Sequence, residues 1–251
     1  MIAILSPAKT LDFESPLRTD RRTTPRFLPQ AESLITELRT LEPDDLAKLM
    51  KLKRPLAELN VERIRTWNTE DHKTAGEARQ ALYAFRGEVY RGLDADTMSS
   101  EDLEFAQEKL RVLSGLYGVL RPLDLILPYR LEMGTSLATD RGDTLYQFWG
   151  DAIARELNSA GEVLVNLASQ EYFRAAGTRA LSIPVITPIF REQTARGPRV
   201  IAVYAKRQRG RMARYIVDNR IDDPVALKSY DLDGYHYDPD GSSGSEWVFL
   251  R

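Results

Sequence analysis

Ile2-Ala3-Ile4-Leu5-Ser6-Pro7-Ala8-Lys9-Thr10 is an apolar quartet that stops against a proline and gives way to polar residues. Four apolar residues in unbroken succession read as a short strand covered on both faces. The strand ends at Ser6-Pro7, because proline offers no N–H to a sheet ladder. Ser6, Lys9 and Thr10 then stand at the carboxyl end of a strand, where α/β sheets place their ligands, and they supply hydroxyls and a point charge suited to phosphate or carboxylate. The segment lacks the glycines of a phosphate-binding loop, and a solvated turn accounts for the same residues.

Outward from this strand the apolar spacing changes. From Pro29 to about Phe85 it turns helical, through Leu34, Ile35, Leu38 and Leu41, then Leu46, Leu49, Met50 and Leu52, then Leu56, Leu59 and Ile64. Pro43 and Pro55 sit where helices begin, so three or four helices are expected. Ser99-Ser100 followed by Glu101 and Asp102 predicts a capped helix running to about Leu113, and Thr144 to Asn158 predicts another. Strands are expected at Val163–Leu167, Ile183–Phe190, Val200–Ala205 and Trp247–Leu250, with a last helix at about Arg209 to Asn219. Strands therefore flank a helical block, which predicts one mixed α/β body over residues 1–251 and not two successive domains.

Composition removes several function classes. The 251 residues include no cysteine, and thiolate nucleophiles, disulfides and iron–sulfur clusters go with it. The two histidines, His72 and His236, are far apart, so a multi-histidine metal centre is not expected. No stretch approaches the roughly 18–20 apolar residues of a membrane span, and a soluble, cytoplasmic protein without a resident cofactor is the expectation. The net charge of −2 means that any nucleic-acid binding must come from a local concentration of charge.

Three further segments carry chemistry. In Leu113-Ser114-Gly115-Leu116-Tyr117-Gly118-Val119-Leu120-Arg121-Pro122 two glycines three apart, after a helix, fit a helix-hairpin-helix element, whose backbone N–H groups face a phosphate. A helix terminus followed by a second turn fits equally. Tyr129, Arg130 and Glu132, together with Asn166, Ser169 and Glu171 at the end of an apolar strand, can share a crevice with Ser6 and Lys9 if the two strands are neighbours. There Glu132 and Glu171 would form an acid/base pair or ordinary ion pairs. Lys206, Arg207, Arg209, Arg211 and Arg214 put five cations in nine residues without an acidic neighbour, which suits a phosphate backbone with Tyr204 and Tyr215 stacking on bases, or a solvated helix face.

Taken together the chain resembles the YaaA peroxide-stress family. The resemblance rests on SPAKT (Ser6–Thr10), FRGEVYRGL (Phe85–Leu93), LSGLYGVLRPLD (Leu113–Asp124), PYRLEMG (Pro128–Gly134), LYQFWGD (Leu145–Asp151), VNLASQEYF (Val165–Phe173) and YAKRQRGRMARYI (Tyr204–Ile216). It implies a cytosolic protein that protects against hydrogen peroxide, linked to limiting intracellular iron and oxidative DNA damage. It also implies binding of double-stranded DNA, with low sequence specificity, through a helix-hairpin-helix element and a basic cleft. That element falls on Gly115, Gly118 and Arg121, and the cleft charge on Lys9, Arg86, Arg130, Lys206, Arg209 and Arg214. The family more often has lysine where this chain has Arg86, and an acidic residue where it has Gln170. The competing expectation is an enzyme that takes a small anionic, nucleotide-like substrate in the Ser6/Lys9/Arg130/Glu171 crevice. Without a peroxidatic cysteine, purified protein mixed with hydrogen peroxide is expected to show no catalytic peroxide loss, a result checked by peroxide consumption under turnover conditions.

Overall fold

In the computed structural model, which describes residues 1–74 and 76–251, seven strands form one sheet. They are β1 (Ile2–Leu5), β2 (Leu110–Ser114), β3 (Gly118–Leu120), β4 (Leu164–Asn166), β5 (Val185–Arg191), β6 (His236–Ser243) and β7 (Glu246–Leu250). The order across the sheet is β6-β7-β5-β4-β1-β2-β3. The five strands from β7 to β2 run parallel, and the two edges are antiparallel hairpin strands. All four residues of β1 are buried, as the apolar run requires when helices cover both faces of a parallel sheet.

The principal helices are α1 (Leu28–Leu38), α2 (Pro43–Met50), α3 (Arg54–Thr66), α4 (Glu88–Leu93), α5 (Ser100–Lys109), α6 (Ala152–Ala160), α7 (Gln170–Ala176) and α8 (Ala202–Asp218). Pro43 and Pro55 lie in the first turns of α2 and α3, where a missing N–H costs nothing. Ser99 caps α5 in a reciprocal box with Asp102, the start that its sequence predicts.

Four local expectations are corrected. Helix α5 stops at Lys109 and not near Leu113, because Leu110, Arg111 and Val112 pair with Ala3, Ile4 and Leu5 of β1. The segment after it is a β-hairpin, β2–β3, with Ser114 opposite Gly118, and not a helix-hairpin-helix element. Thr144–Asn158 is two helices, Leu145–Trp149 and α6, broken at Gly150 with φ +47°. Val200–Ala205 is no strand. Helix α8 already begins at Ala202, because Ala205, Gln208, Met212, Ala213, Ile216 and Val217 repeat a buried face at helical spacing.

Glycines set two close approaches. A Cβ on Gly210 of α8 would lie 1.7 Å from the Val89 carbonyl oxygen of α4, and one on Gly92 of α4 would lie 2.2 Å from the Arg207 carbonyl oxygen. The two helices thus cross backbone to backbone, which only glycine permits. A buried polar cluster fixes the far side of the helical block. The Tyr117 hydroxyl accepts from Trp67 Nε1 at 3.0 Å and from the Leu127 amide at 3.2 Å, so its own proton goes to His72 Nε2, 2.9 Å away. His72 Nδ1 in turn donates to the Asn68 carbonyl at 2.8 Å.

Gly210→Ala should force α4 and α8 apart and lower stability by about 3 kcal/mol or more, read as a lower urea midpoint. His72 generates a second expectation. Burial holds its imidazole at about pH 4, whereas the unfolded chain takes up that proton near pH 6.5. The contribution of neutral His72 is therefore complete above pH 6.5 and is lost as pH falls toward 4, about 3 kcal/mol in all. The carboxylates of Asp12 and Asp222, held low chiefly by the Ser15 amide and by Lys109 respectively, act only below that window. Urea unfolding between pH 7.5 and 4.5 should show this slope, and His72→Gln should flatten it.

Candidate functional site

Strands β4, β1 and β2 bring their carboxyl ends to one edge of the sheet. The chain leaves β1 toward β2 and leaves β4 toward β5 on the opposite side, so the gap between β1 and β4 is a topological switch point, where open α/β sheets form their ligand crevices. A crevice of about 500 Å³ lies there, within the range of small-molecule sites.

Each wall has a local cause. The floor is the turn after β1 and the end of β4: Ser6 Oγ accepts from the Ser169 amide at 2.8 Å and sits 3.3 Å from Ser169 Oγ. Thr10-Leu11 pairs antiparallel with Phe85-Arg86, which presses Ala8 and Lys9 toward Gly87. That glycine has φ +140° and brings its backbone within 3.6 Å of the Ala8 methyl, measured from where a Cβ would stand, a conformation that other residues avoid. Tyr90 follows on α4, and its hydroxyl donates to the Ser6 carbonyl at 3.0 Å. The opposite wall is the Tyr129–Glu132 loop, where the Tyr129 hydroxyl meets Ser114 Oγ at 2.7 Å. Lys206 and Arg209 of α8 close the ring.

Two kinds of cation occupy the crevice. Glu132 binds both Lys9 Nζ at 2.8 Å and Arg130 Nη2 at 3.2 Å. Arg86 is held by Asp12 at 3.0 Å and by Asp96 at 3.3 Å. Among the described residues Lys206 and Arg209 have no carboxylate partner, and burial pulls the Arg209 guanidinium below its usual value. An uncompensated cation drawn partly out of water favours an anion beside it. Glu171 lines the same space, with its Oε1 accepting from the Gly134 amide at 3.0 Å. The phenols of Tyr90, Tyr129 and Tyr172 are all pushed up by burial and are neutral hydrogen-bonding walls. Among the described residues no group of three or more His, Asp or Glu is arranged to hold a metal ion.

The structure thus brings together Ser6, Lys9, Arg86, Tyr129, Arg130, Glu132, Ser169 and Glu171, and joins Lys206 and Arg209 to them. It separates the rest. Asn166 is buried, with Oδ1 accepting from the Ala168 amide and Nδ2 reaching Thr187, so it ends its strand instead of facing the crevice. Gly115 and Gly118 are buried packing positions, not phosphate contacts. A Cβ on Gly115 would lie 2.3 Å from the Leu131 carbonyl oxygen, and one on Gly118 2.7 Å from the Trp149 ring. Arg121 turns back onto the buried carboxylate of Asp124 at 3.3 Å.

In the basic run Arg211 binds Asp233 at 3.0 Å, and Arg214 binds Asp218 at 2.6 Å and the Asp94 carbonyl at 2.8 Å. Asp218 lies one turn further along the same helix, and Asp233 is brought in by the fold. Tyr215 packs its ring on Tyr230, whereas Tyr204 and Arg207 are exposed. Sequence reasoning missed Glu88, Tyr90 and Tyr172, although the first two stand two and four residues after Arg86 and the third directly after Glu171.

The chain is similar to known proteins over its whole length. Residues 1–241 match the family described as "Peroxide stress protein YaaA". The chain is 47% identical over 259 residues to a UPF0246 protein of Hahella chejuensis, covering all of this chain and 99% of that protein. It is 50% identical over 258 residues to a UPF0246 protein of Burkholderia lata, with 100% and 98% covered. It is 49% identical over 256 residues to one of Shewanella pealeana, with 100% and 99% covered. These matches show the family: the chain is a member of the YaaA peroxide-stress protein family.

Proposed function

We propose that this cytoplasmic peroxide-stress protein binds DNA through its phosphate backbone, at the mouth of the crevice and along α8, and so limits iron-dependent oxidative damage to that DNA. The observation that carries this reading is the set Lys206, Arg207 and Arg209, which have no carboxylate partner among the described residues although the whole chain is slightly acidic. Cations left unpaired by the fold, within one turn of α8 beside an open crevice, meet phosphates at the least cost in desolvation. Their contacts go to phosphate and not to base edges, so low sequence specificity follows. Gly115, Gly118 and Arg121 take no part in this reading, since hairpin packing consumes them.

A second reading is favoured by the size of the crevice and its place at the switch point. In it a small anionic, nucleotide-like molecule enters beside Ser6, Lys9 and Arg130, and Glu171 or Glu132 orients it or moves a proton in an enzymatic step.

Titration with duplex DNA at increasing salt decides between them. DNA affinity should fall with a log–log slope of about −0.9 per phosphate neutralised. Lys206→Ala and Arg209→Ala should each reduce the slope by about one unit, uniformly across sequences. Arg214→Ala, whose guanidinium is tied to Asp218 and Asp94, should leave the slope unchanged. Salt-independent affinity, or no binding at low salt, overturns the DNA reading, and saturable binding of a nucleotide without DNA establishes the second.

A further inference from the structure

We infer that the crevice receives a terminal phosphomonoester, a phosphate on the end of a chain or on a free nucleotide, with Glu132 serving as the internal counter-ion that this phosphate displaces. The inference rests on the reading of the site as one for phosphate and goes beyond it by naming the kind of ester.

Charge is the first support. The lining side chains comprise five cations and three carboxylates. Arg86 is already taken by Asp12 and Asp96, and Glu88 by Arg91 at 2.6 Å, so these two add nothing for a ligand. Lys9 and Arg130 share the single carboxylate of Glu132. Lys206 and Arg209 have none. The excess over the whole lining is two positive charges. An internal phosphodiester carries one negative charge. A phosphomonoester carries close to two at neutral pH, with three unsubstituted oxygens and a second ionisation near pH 6.

Geometry is the second support. Ser6 and Ser169 line one side of the space, joined by their own hydrogen bonds at the ends of β1 and β4. An internal phosphate has chain leaving on both sides and can turn only two free oxygens toward them. A terminal phosphate has chain on one side only and can point its three free oxygens inward. The Lys9–Glu132–Arg130 cluster lines the same space, with Lys9 64% exposed and Arg130 20% exposed at the side chain.

Glu132 then has a definite consequence. Its carboxylate pairs with both Arg130 and Lys9, and a monoanionic ligand offers those cations no more charge than Glu132 already gives. A dianion does, since charge-assisted bonds strengthen with the charge of the acceptor. Glu132 is thus a specificity-determining residue that discriminates against singly charged ligands by competing with them.

The test compares ligands that differ only in ester class, measured by calorimetry or anisotropy on the full chain. A nucleoside 5′-monophosphate is set against its methyl ester, and an oligonucleotide bearing a 5′-phosphate against the same strand with a 5′-hydroxyl. At pH 7.5 the monoester should bind about tenfold or more tighter than the methyl ester. The gap should close by pH 5, where the monoester holds one charge. Among the described residues no histidine lines the crevice, and Tyr90, Tyr129 and Tyr172 stay neutral across that interval because burial raises them.

Glu132→Gln should tighten the methyl ester and narrow the gap, whereas Lys206→Ala should weaken the monoester. Binding of the free nucleotide and of the phosphorylated strand supports a headgroup site open to either source. Binding of the phosphorylated strand alone supports a site for DNA ends. Equal affinity for monoester and methyl ester overturns the inference, as does a Glu132→Gln variant, folded by circular dichroism, that weakens both. If duplex DNA with 5′-hydroxyl ends binds with the steep salt dependence and a terminal phosphate adds nothing, only this inference falls. If no nucleic acid or nucleotide binds at low salt, the phosphate reading falls with it.

Discussion

The position of β1 between β2 and β4 is the constraint on which the rest depends. Both neighbours run parallel to it, so three carboxyl ends meet at one edge, and the chain must cross the sheet in opposite directions on leaving β1 and β4. Strand pairing of this kind is fixed by burial. Ile2, Ala3, Ile4 and Leu5 are each at most 1% exposed, and a one-residue slip would turn Ser6 into the core and an apolar side chain toward the crevice. The crevice is therefore a by-product of sheet order, and the loop that carries Lys9 inherits its place from β1.

The second determinant is the close crossing of α4 and α8. Gly92 and Gly210 let the two backbones touch, and the same contact sets how far Lys206 and Arg209 stand from Gly87 and Tyr90 across the crevice. Stability and site geometry are coupled here. A side chain at Gly210 would move the helix whose cations face the ligand, so the glycine acts on the site without lining it. The basic run of α8 shows the reverse economy of position. Arg211, on Asp233, and Arg214, on the Asp94 carbonyl, hold the helix to its neighbours, while Lys206 and Arg209 are left to the crevice.

Much of this was legible in the sequence wherever one residue type has one physical use. The quartet Ile2–Leu5, the capping serine at Ser99 and the prolines of α2 and α3 each state their structure locally. The convergence of Lys9, Arg130, Glu132 and Glu171 was also legible, because apolar runs that end in polar residues place those residues at strand ends. What was not legible depends on partners remote in sequence. Leu110–Ser114 continues a helical pattern until β1 is there to pair with it. Gly115 and Gly118 read as a phosphate-facing hairpin until Leu131 and Trp149 occupy the space in front of them. Val200–Ala205 reads as a strand because its apolar residues are contiguous, yet Val200, Val203 and Tyr204 are exposed, and the buried face of α8 begins only at Ala205. Asn166 failed for the same reason: its amide had a closer use in ending β4 than in meeting a ligand.

Without a cysteine the chain has no peroxidatic thiolate, and the crevice leaves two readings, binding of phosphate and catalysis on another substrate. The described residues bear on which, through the state of their charges. Fourteen of the 27 arginines pair with a carboxylate among the described residues, so lack of a partner does not by itself mark a site. What distinguishes Lys206 and Arg209 is that both line the crevice, where burial lowers the Arg209 guanidinium. A cation so placed favours an anion beside it. The paired cations Lys9 and Arg130 add a threshold to that attraction, since a ligand must outcompete Glu132 to reach them. On the proposed phosphate reading, attraction by Lys206 and Arg209 and the threshold set by Glu132 would together make the crevice selective by charge.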